Sequence, residues 1–314
     1  MSLGIKRLSF CIAWAVVSFA VLLPGLAIGQ QHVVLQGNER LAIVDPDGKV
    51  EWEIPWGGIH DVHVLGNGNF MVQQGKSKIA EINRKSKQVV WSYDSSSENG
   101  NAGKQIEVHA FQPLPDDSVM IAESGVGRII EIDRSGKLLK QFPLKLNSPH
   151  YHMDTRLARK LENGHYLVSH EGDGFVREYD GKGKVVWEYE VPLFGRERRD
   201  GHGPESFGNK VFGAIRLASG NTLIATGNGH SVLEVTPKSE VVWSVTQNEL
   251  PGIMLAWVTT LEVLPNGNYL IGNCHAGPDN PILIELEPKS KKVVWKLSAY
   301  EQFGNNVSNS KSIN

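Results

Sequence analysis

The residues with the widest chemical reach in this 314-residue chain are its 11 histidines. They are densest at His150-Tyr-His152-Met-Asp154. Residues two apart on an extended chain point the same way, so His150, His152 and Asp154 could converge on a divalent metal. Three such ligands in one short segment are suggestive without being specific, and the ordinary expectation for such a loop is no metal. His60 and His63 stand three apart, face opposite ways on a strand and do not form a pair. No phosphate-binding loop, Gly-x-Ser-x-Gly elbow or dinucleotide fingerprint is present. Any site must therefore be assembled from imidazole and guanidinium groups that lie far apart in the chain, and such groups suit an anionic ligand.

Composition limits what that ligand can be. With 32 Lys+Arg against 34 Asp+Glu and a formal charge of −2, the chain lacks the bulk positive charge of a nucleic-acid binder. An apolar fraction of 40% argues against general disorder. Residues 1–29 carry Lys6 and Arg7 but no acid, then an apolar run from Cys11 to Leu23, a Pro24-Gly25 break and small residues at Ala27 and Gly29. That layout predicts a secretory signal cleaved before Gln30, an uncleaved anchor being the alternative, and a secreted or periplasmic protein with no stable membrane anchor afterwards. Cys11 leaves with the signal. Cys274 is then alone, so the exported protein must hold together by packing rather than by an intrachain disulfide.

One phrase recurs six times and sets the architecture: a polar turn, a Gly/Ser/Lys pair, two apolar residues, then Trp or its substitute. The copies are Asp45–Trp52, Asn83–Trp91, Asp133–Lys140, Asp180–Trp187, Thr236–Trp243 and Glu287–Trp295. Upstream of each lies an apolar run such as Tyr166-Leu-Val, preceded by an Asn-Gly or Asp-Asp turn, so each unit reads as four short strands, A to D. Six units of roughly 47 residues predict an all-β, six-bladed propeller filling residues 30–314 as a single domain. The first unit lacks strand A. Phe303-Gly-Asn-Asn-Val307, with Ile313 six residues later, repeats the spacing of Phe207-Gly-Asn-Lys-Val211 and Leu217, so the C-terminal segment should complete blade one and close the ring. Trp52, Trp91, Trp187, Trp243 and Trp295 are read as structural wedges between blades, and Lys140 as the exception that leaves the blade-three contact to Phe142 and its neighbours.

In this register the A–B and C–D turns are uniformly short, whereas Ser95–Glu107, Lys145–Asp154, Pro192–Lys210 and Gln247–Trp257 are long and share the opposite face. Backbone that no turn requires points to function there. At the start of the six A strands the equivalent residues are His60, His109, Arg156, Phe212, Thr259 and Ser308. At the ends of the B strands they are Gln36, Gln74, Glu123, His170, Thr226 and Asn273. The candidate ligand-binding or catalytic set is therefore His60, His109, His152, Arg156, Arg159, His170, Glu123 and Gln74, at a polar, one-sided channel mouth. Arg196–Asp200 reads as a solvated loop.

The phrases Ile43-Val-Asp-Pro-Asp-Gly-Lys-Val-Glu-Trp52 and Glu178-Tyr-Asp-Gly-Lys-Gly-Lys-Val-Val-Trp187 resemble the Trp docking repeat of quinoprotein-like propellers. Six blades and the histidine content look more like the arylsulfotransferase-like branch of that superfamily. The resemblance spans the mature chain but rests on scaffold residues. Quinone dehydrogenases of the superfamily have eight blades and a vicinal Cys pair; this chain has neither, so no cofactor is expected. Two functions follow. The first is an exported scaffold that binds a small anionic or aromatic ligand, or a protein partner, at the channel mouth. The second, implied by the resemblance, is sulfuryl transfer through a histidine nucleophile, with His109 or His152 attacking and Arg156, Arg159 and His60 stabilising charge.

Overall fold

The computed structural model describes Met1 and residues 31–58 and 60–313; the signal segment expected over residues 1–29 lies outside them, Met1 apart. Among the described residues, twenty-four strands form six four-stranded antiparallel sheets, the blades of a propeller. Blade one combines strands B (His32–Gly37), C and D with strand A from the other end of the chain, Ser310–Ile313. That A strand pairs antiparallel with strand B through His32↔Ile313, Val33↔Ser312, Val34↔Lys311 and Leu35↔Ser310. The ring is closed as the spacing of Phe303–Val307 implied, and strand B of blade one keeps no open edge.

The burial pattern follows from the stacking of blades. Strands B and C, such as Val119–Ser124 and Arg128–Ile132, are buried almost throughout because both of their faces meet a neighbouring blade. Their sequences are accordingly near-continuous apolar runs. The outer D strands alternate, as in Val185–Glu190. Among the described residues the one helix is a single turn, α1 (Tyr300–Phe303), whose Phe303 is wholly buried between blades six and one. Gly37 makes room for it: a Cβ there would stand 2.2 Å from the Phe303 carbonyl oxygen.

Each repeated Trp ties its blade to the next. The indole Nε1 of Trp52, Trp91, Trp187, Trp243 and Trp295 donates to the carbonyls of Arg84, Arg134, Pro237, Pro288 and Pro46, at 2.7 to 3.1 Å. These acceptors lie in the C–D turns of the following blades, the last in blade one. At the Lys140 position the ammonium instead donates to the Tyr166 hydroxyl at 3.0 Å, while Phe142 packs edge-on against the same ring. Beside each Trp or its substitute, strand D carries a β-bulge, its extra residue being Glu51, Val90, Leu139, Val186, Val242 or Val294, and the C-strand residue just before the bulge pairs with the Trp position. The residue before the bulge is Glu81, Glu131, Glu178, Glu234 or Glu285 in five blades. Three of them accept from A–B turn asparagines: Glu81 from Asn67 and Asn69, Glu234 from Asn221, Glu285 from Asn266 and Asn268. The Trp phrase and the Asn-Gly turns are thus two halves of one stitch.

Candidate functional site

The A strands surround the propeller axis, and their first residues converge at the long-loop end. A cavity of about 630 Å³ opens there, and His60, Arg156, Phe212, Thr259 and Ser308 all line it. Five of the six positions equated in the sequence therefore share one chamber. The sixth, His109, stands directly behind, its ring 4.5 Å from that of His60 and 5.1 Å from that of His152.

One wall is polar. His152 accepts from the Arg156 guanidinium at Nε2 (2.8 Å), so its Nδ1 carries the proton and donates to Glu107 at 2.6 Å. His109 Nε2 lies 3.1 Å from the same carboxylate oxygen, and its Nδ1 faces the Thr155 carbonyl. Arg156 also donates through Nε to Glu171. Its Nη1 is buried without a hydrogen-bond partner, as is Nδ1 of His60. Burial, helped by His109, Arg156 and His152, holds His60 well below the usual imidazole range, so it is neutral. Burial likewise draws His109 down to about 4 against the pull of Glu107. For Glu107, burial would raise the carboxyl, but His109 and His152 beside it outweigh that and bring it to about 2.

The facing wall is aromatic. Phe212, Trp257 and Cys274 form one buried cluster, His202 stacks on Trp257 at 4.8 Å, and His275 closes the group 5.1 Å from His202. The Arg156 guanidinium lies 5.7 Å from the Phe212 ring, so the two walls meet at that residue. Burial pushes the Cys274 thiol up to about 12, which makes it a packing residue rather than a nucleophile.

Other expected residues serve the scaffold. Arg159 makes a bidentate pair with Asp61 at 2.7 and 2.8 Å inside the channel. Burial opposes ionisation of Asp61, yet Arg159 and His63 hold its carboxyl far below the usual range. Glu123 is buried among Ser95, Asn101 and Arg128 and anchors the long loop of blade three. His170 bridges the Asp154 carbonyl and the Tyr179 hydroxyl. Gln74 pairs with Lys78 at the B–C turn and does not line the cavity.

His150, His152 and Asp154 do not converge. Residues 151–154 form a turn rather than a strand, so alternation fails there. Asp154 spends its carboxylate on the backbone N–H groups of Gly125 and His150, and the His150 ring stacks outward on Tyr151. Sequence reasoning missed Glu107: the strand's register shifts at His109, so plain alternation does not put the two together, yet His109 Nε2 meets the Glu107 carboxylate. Among the described residues, the group able to hold a metal is Glu107, His109 and His152.

Comparison with known proteins agrees with the fold. A crystal structure of a protein of unknown function from Bacteroides caccae superposes with a TM-score of 0.74 at 22% identity, over 91% of this chain and 100% of that one. Streptogramin B lyase superposes with a TM-score of 0.54 at 10% identity, over 84% of this chain and 81% of that one. A catalytically inactive virginiamycin B lyase from Staphylococcus aureus, with quinupristin, gives 0.55 at 11% identity, over 87% and 86%. These likenesses concern the fold alone. No curated protein matches the chain significantly. The family model described as outer membrane protein assembly factor BamB matches residues 37–297, which takes in all five docking tryptophans and every residue of the two cavity walls named above. The chain therefore belongs to the BamB-like family of quinoprotein-type repeat propellers.

Proposed function

We propose that this protein is an exported binding propeller whose long-loop cavity holds a small molecule with an aromatic body and an anionic end. The observation that carries the reading is Arg156: it lines the cavity, touches the aromatic wall through Phe212, and keeps Nη1 without a partner. A ligand acceptor that turns the guanidinium enough to uncover the shielded Nη1 would gain a charge-assisted hydrogen bond while its ring packs against Phe212 and Trp257. Export accords with the N-terminal segment and with the outer-membrane role in the family's description. Among the described residues no helix is long and apolar enough to cross a membrane. The test is calorimetric titration of benzoates, aryl sulfates and aryl phosphates beside their uncharged analogues. Saturable binding of the anions, weakened at least about tenfold by Arg156→Gln and by Phe212→Ala, is expected. Equal binding of the neutral analogues refutes the anion subsite.

A second reading, sulfuryl transfer, draws support from His60. Both ring nitrogens of His109 and of His152 are engaged, whereas His60 is neutral, lines the cavity and has a free Nδ1. In that reaction an imidazole nitrogen of His60 attacks sulfur, the aryloxide leaves and is protonated, and the sulfo group then passes to a phenol as the phenol's proton is lost. Phenol release from a chromogenic aryl sulfate that depends on an acceptor and disappears in His60→Ala supports it; release unchanged in that variant removes it.

A further inference from the structure

A bulge at His109 in strand A of blade three lets its ring meet the carboxylate of Glu107, and the turn at 151–154 of blade four brings His152 against them. One ligand atom from each lies within 4.8 Å of the other two. His109 is the informative member. Its Nδ1 faces the Thr155 carbonyl at 3.2 Å and its Nε2 faces Glu107 Oε2 at 3.1 Å, so a buried ring meets an acceptor on both sides. A neutral imidazole has one N–H. If that N–H serves the carbonyl, as the outer nitrogen of metal-bound histidines commonly does, the other lone pair is aimed at a carboxylate oxygen. Two acceptors facing each other in a buried place call for a cation between them.

We infer that Glu107, His109 and His152 bind a first-row transition-metal dication of the zinc or cobalt type. Two imidazoles and one carboxylate are a donor set such ions favour, and they leave positions open for water or a ligand. Bonds of about 2.0–2.2 Å place tetrahedral donors roughly 3.3–3.6 Å apart. The His109–Glu107 pair, at 3.1 Å, is nearly at that spacing. The His152–Glu107 pair, at 2.6 Å, must open by no more than about 1 Å. His152 can move, because it sits on a turn with a half-exposed side chain. Coordination through its Nδ1 shifts the ring proton to Nε2, which then no longer accepts from Arg156. A second guanidinium nitrogen is thereby released beside the cavity. The inference does not depend on which ligand the cavity takes.

The test uses the full chain stripped with chelator, titrated with Zn²⁺ and with Co²⁺, whose visible spectrum reports coordination. One equivalent bound with Kd below about 10 µM is expected. His152→Ala and Glu107→Gln should weaken it at least about tenfold, and His32→Ala, altering a blade-one histidine paired with Glu51, should leave it unchanged. The metal-free melting temperature of His152→Ala serves as the folding control, since that residue lies on the surface turn. Absence of saturable binding of either ion below about 10 µM, or equal affinity in native and His152→Ala proteins, overturns the inference and leaves a His109–Glu107 hydrogen bond without metal.

Discussion

Ending the chain at Gln302 should open the ring, and the structure gives the size of the effect. The cut removes Phe303 and Val307, both fully buried in the cluster between blades six and one. It also removes the A strand that covers strand B of blade one, with the bonds from Asn309 to the His60 carbonyl and between the Ser312 N–H and Glu262. Losing a buried Phe costs about 3–5 kcal/mol, a Val about 1.5–3, and each hydrogen bond about 1. The sum, roughly 6–10 kcal/mol, is comparable with the 5–15 kcal/mol that ordinarily separates folded from unfolded chains. The truncated protein should therefore melt cold or fail to fold. Phe303→Ala alone should lower the melting temperature by about 6–15 °C. Gly37→Ala, whose Cβ would meet the Phe303 carbonyl, should act in the same direction. Circular dichroism melts of the three variants suffice. A truncated chain melting within about 2 °C of the full one would refute ring closure as a source of stability.

Three other outcomes are expected. Trp52→Phe keeps the wedge but loses the bond to the Arg84 carbonyl, so it should cost about 0.5–1.5 kcal/mol by chemical denaturation; a loss above about 3 would mean the indole ring itself bears the contact. Arg159→Met strands the buried Asp61 carboxylate and should cost about 3–5 kcal/mol, while adding Asp61→Asn should recover part of that; a double variant no better than the single one contradicts the pairing. Stability should fall on acidification in two stages. His170, drawn down to about 4 by burial, binds its proton more readily when unfolded, so its contribution is complete above about pH 6.5 and is lost as pH falls toward 4. Asp61 and Glu107 are depressed carboxyls, so their contributions are present above about pH 4 and are lost below it. A melting temperature that peaks near pH 5 rather than above 7 would contradict these signs.

The fold was legible because its determinants are local and repeated. The Trp phrase and the turn asparagines mark two ends of the same stitch in three blades, and Phe303–Val307 repeats Phe207–Val211 closely enough to show where the ring closes. The starts of the A strands were legible for the same reason, since equal offsets from a landmark Leu place His60, Arg156 and Phe212 around one axis. Of the B-strand ends, Gln36 lines the cavity and the other five do not. Glu123 and His170 turn into blade interfaces, and the residue after His170, Glu171, reaches the cavity together with Cys274 and His275 of blade six. A one-residue error in a strand exchanges its faces. His152 reached the site by a turn whose shape depends on Asp154 capping Gly125 of another blade, a long-range contact that no spacing within 150–154 encodes. Glu107 was hidden for a different reason: a bulge at His109 interrupts the alternation of that strand, so two-residue spacing does not by itself place the pair together.

The most direct test of the account is the titration of an aryl carboxylate or aryl sulfate into native protein and into Arg156→Gln, with the uncharged arene beside each. The account predicts saturable one-to-one binding of the anion, at least about tenfold weaker in the variant, with little preference left between charged and neutral ligands there. If the variant, folded by its melting curve, binds the anion as tightly as the native protein, Arg156 does not receive the ligand and the cavity is not the site.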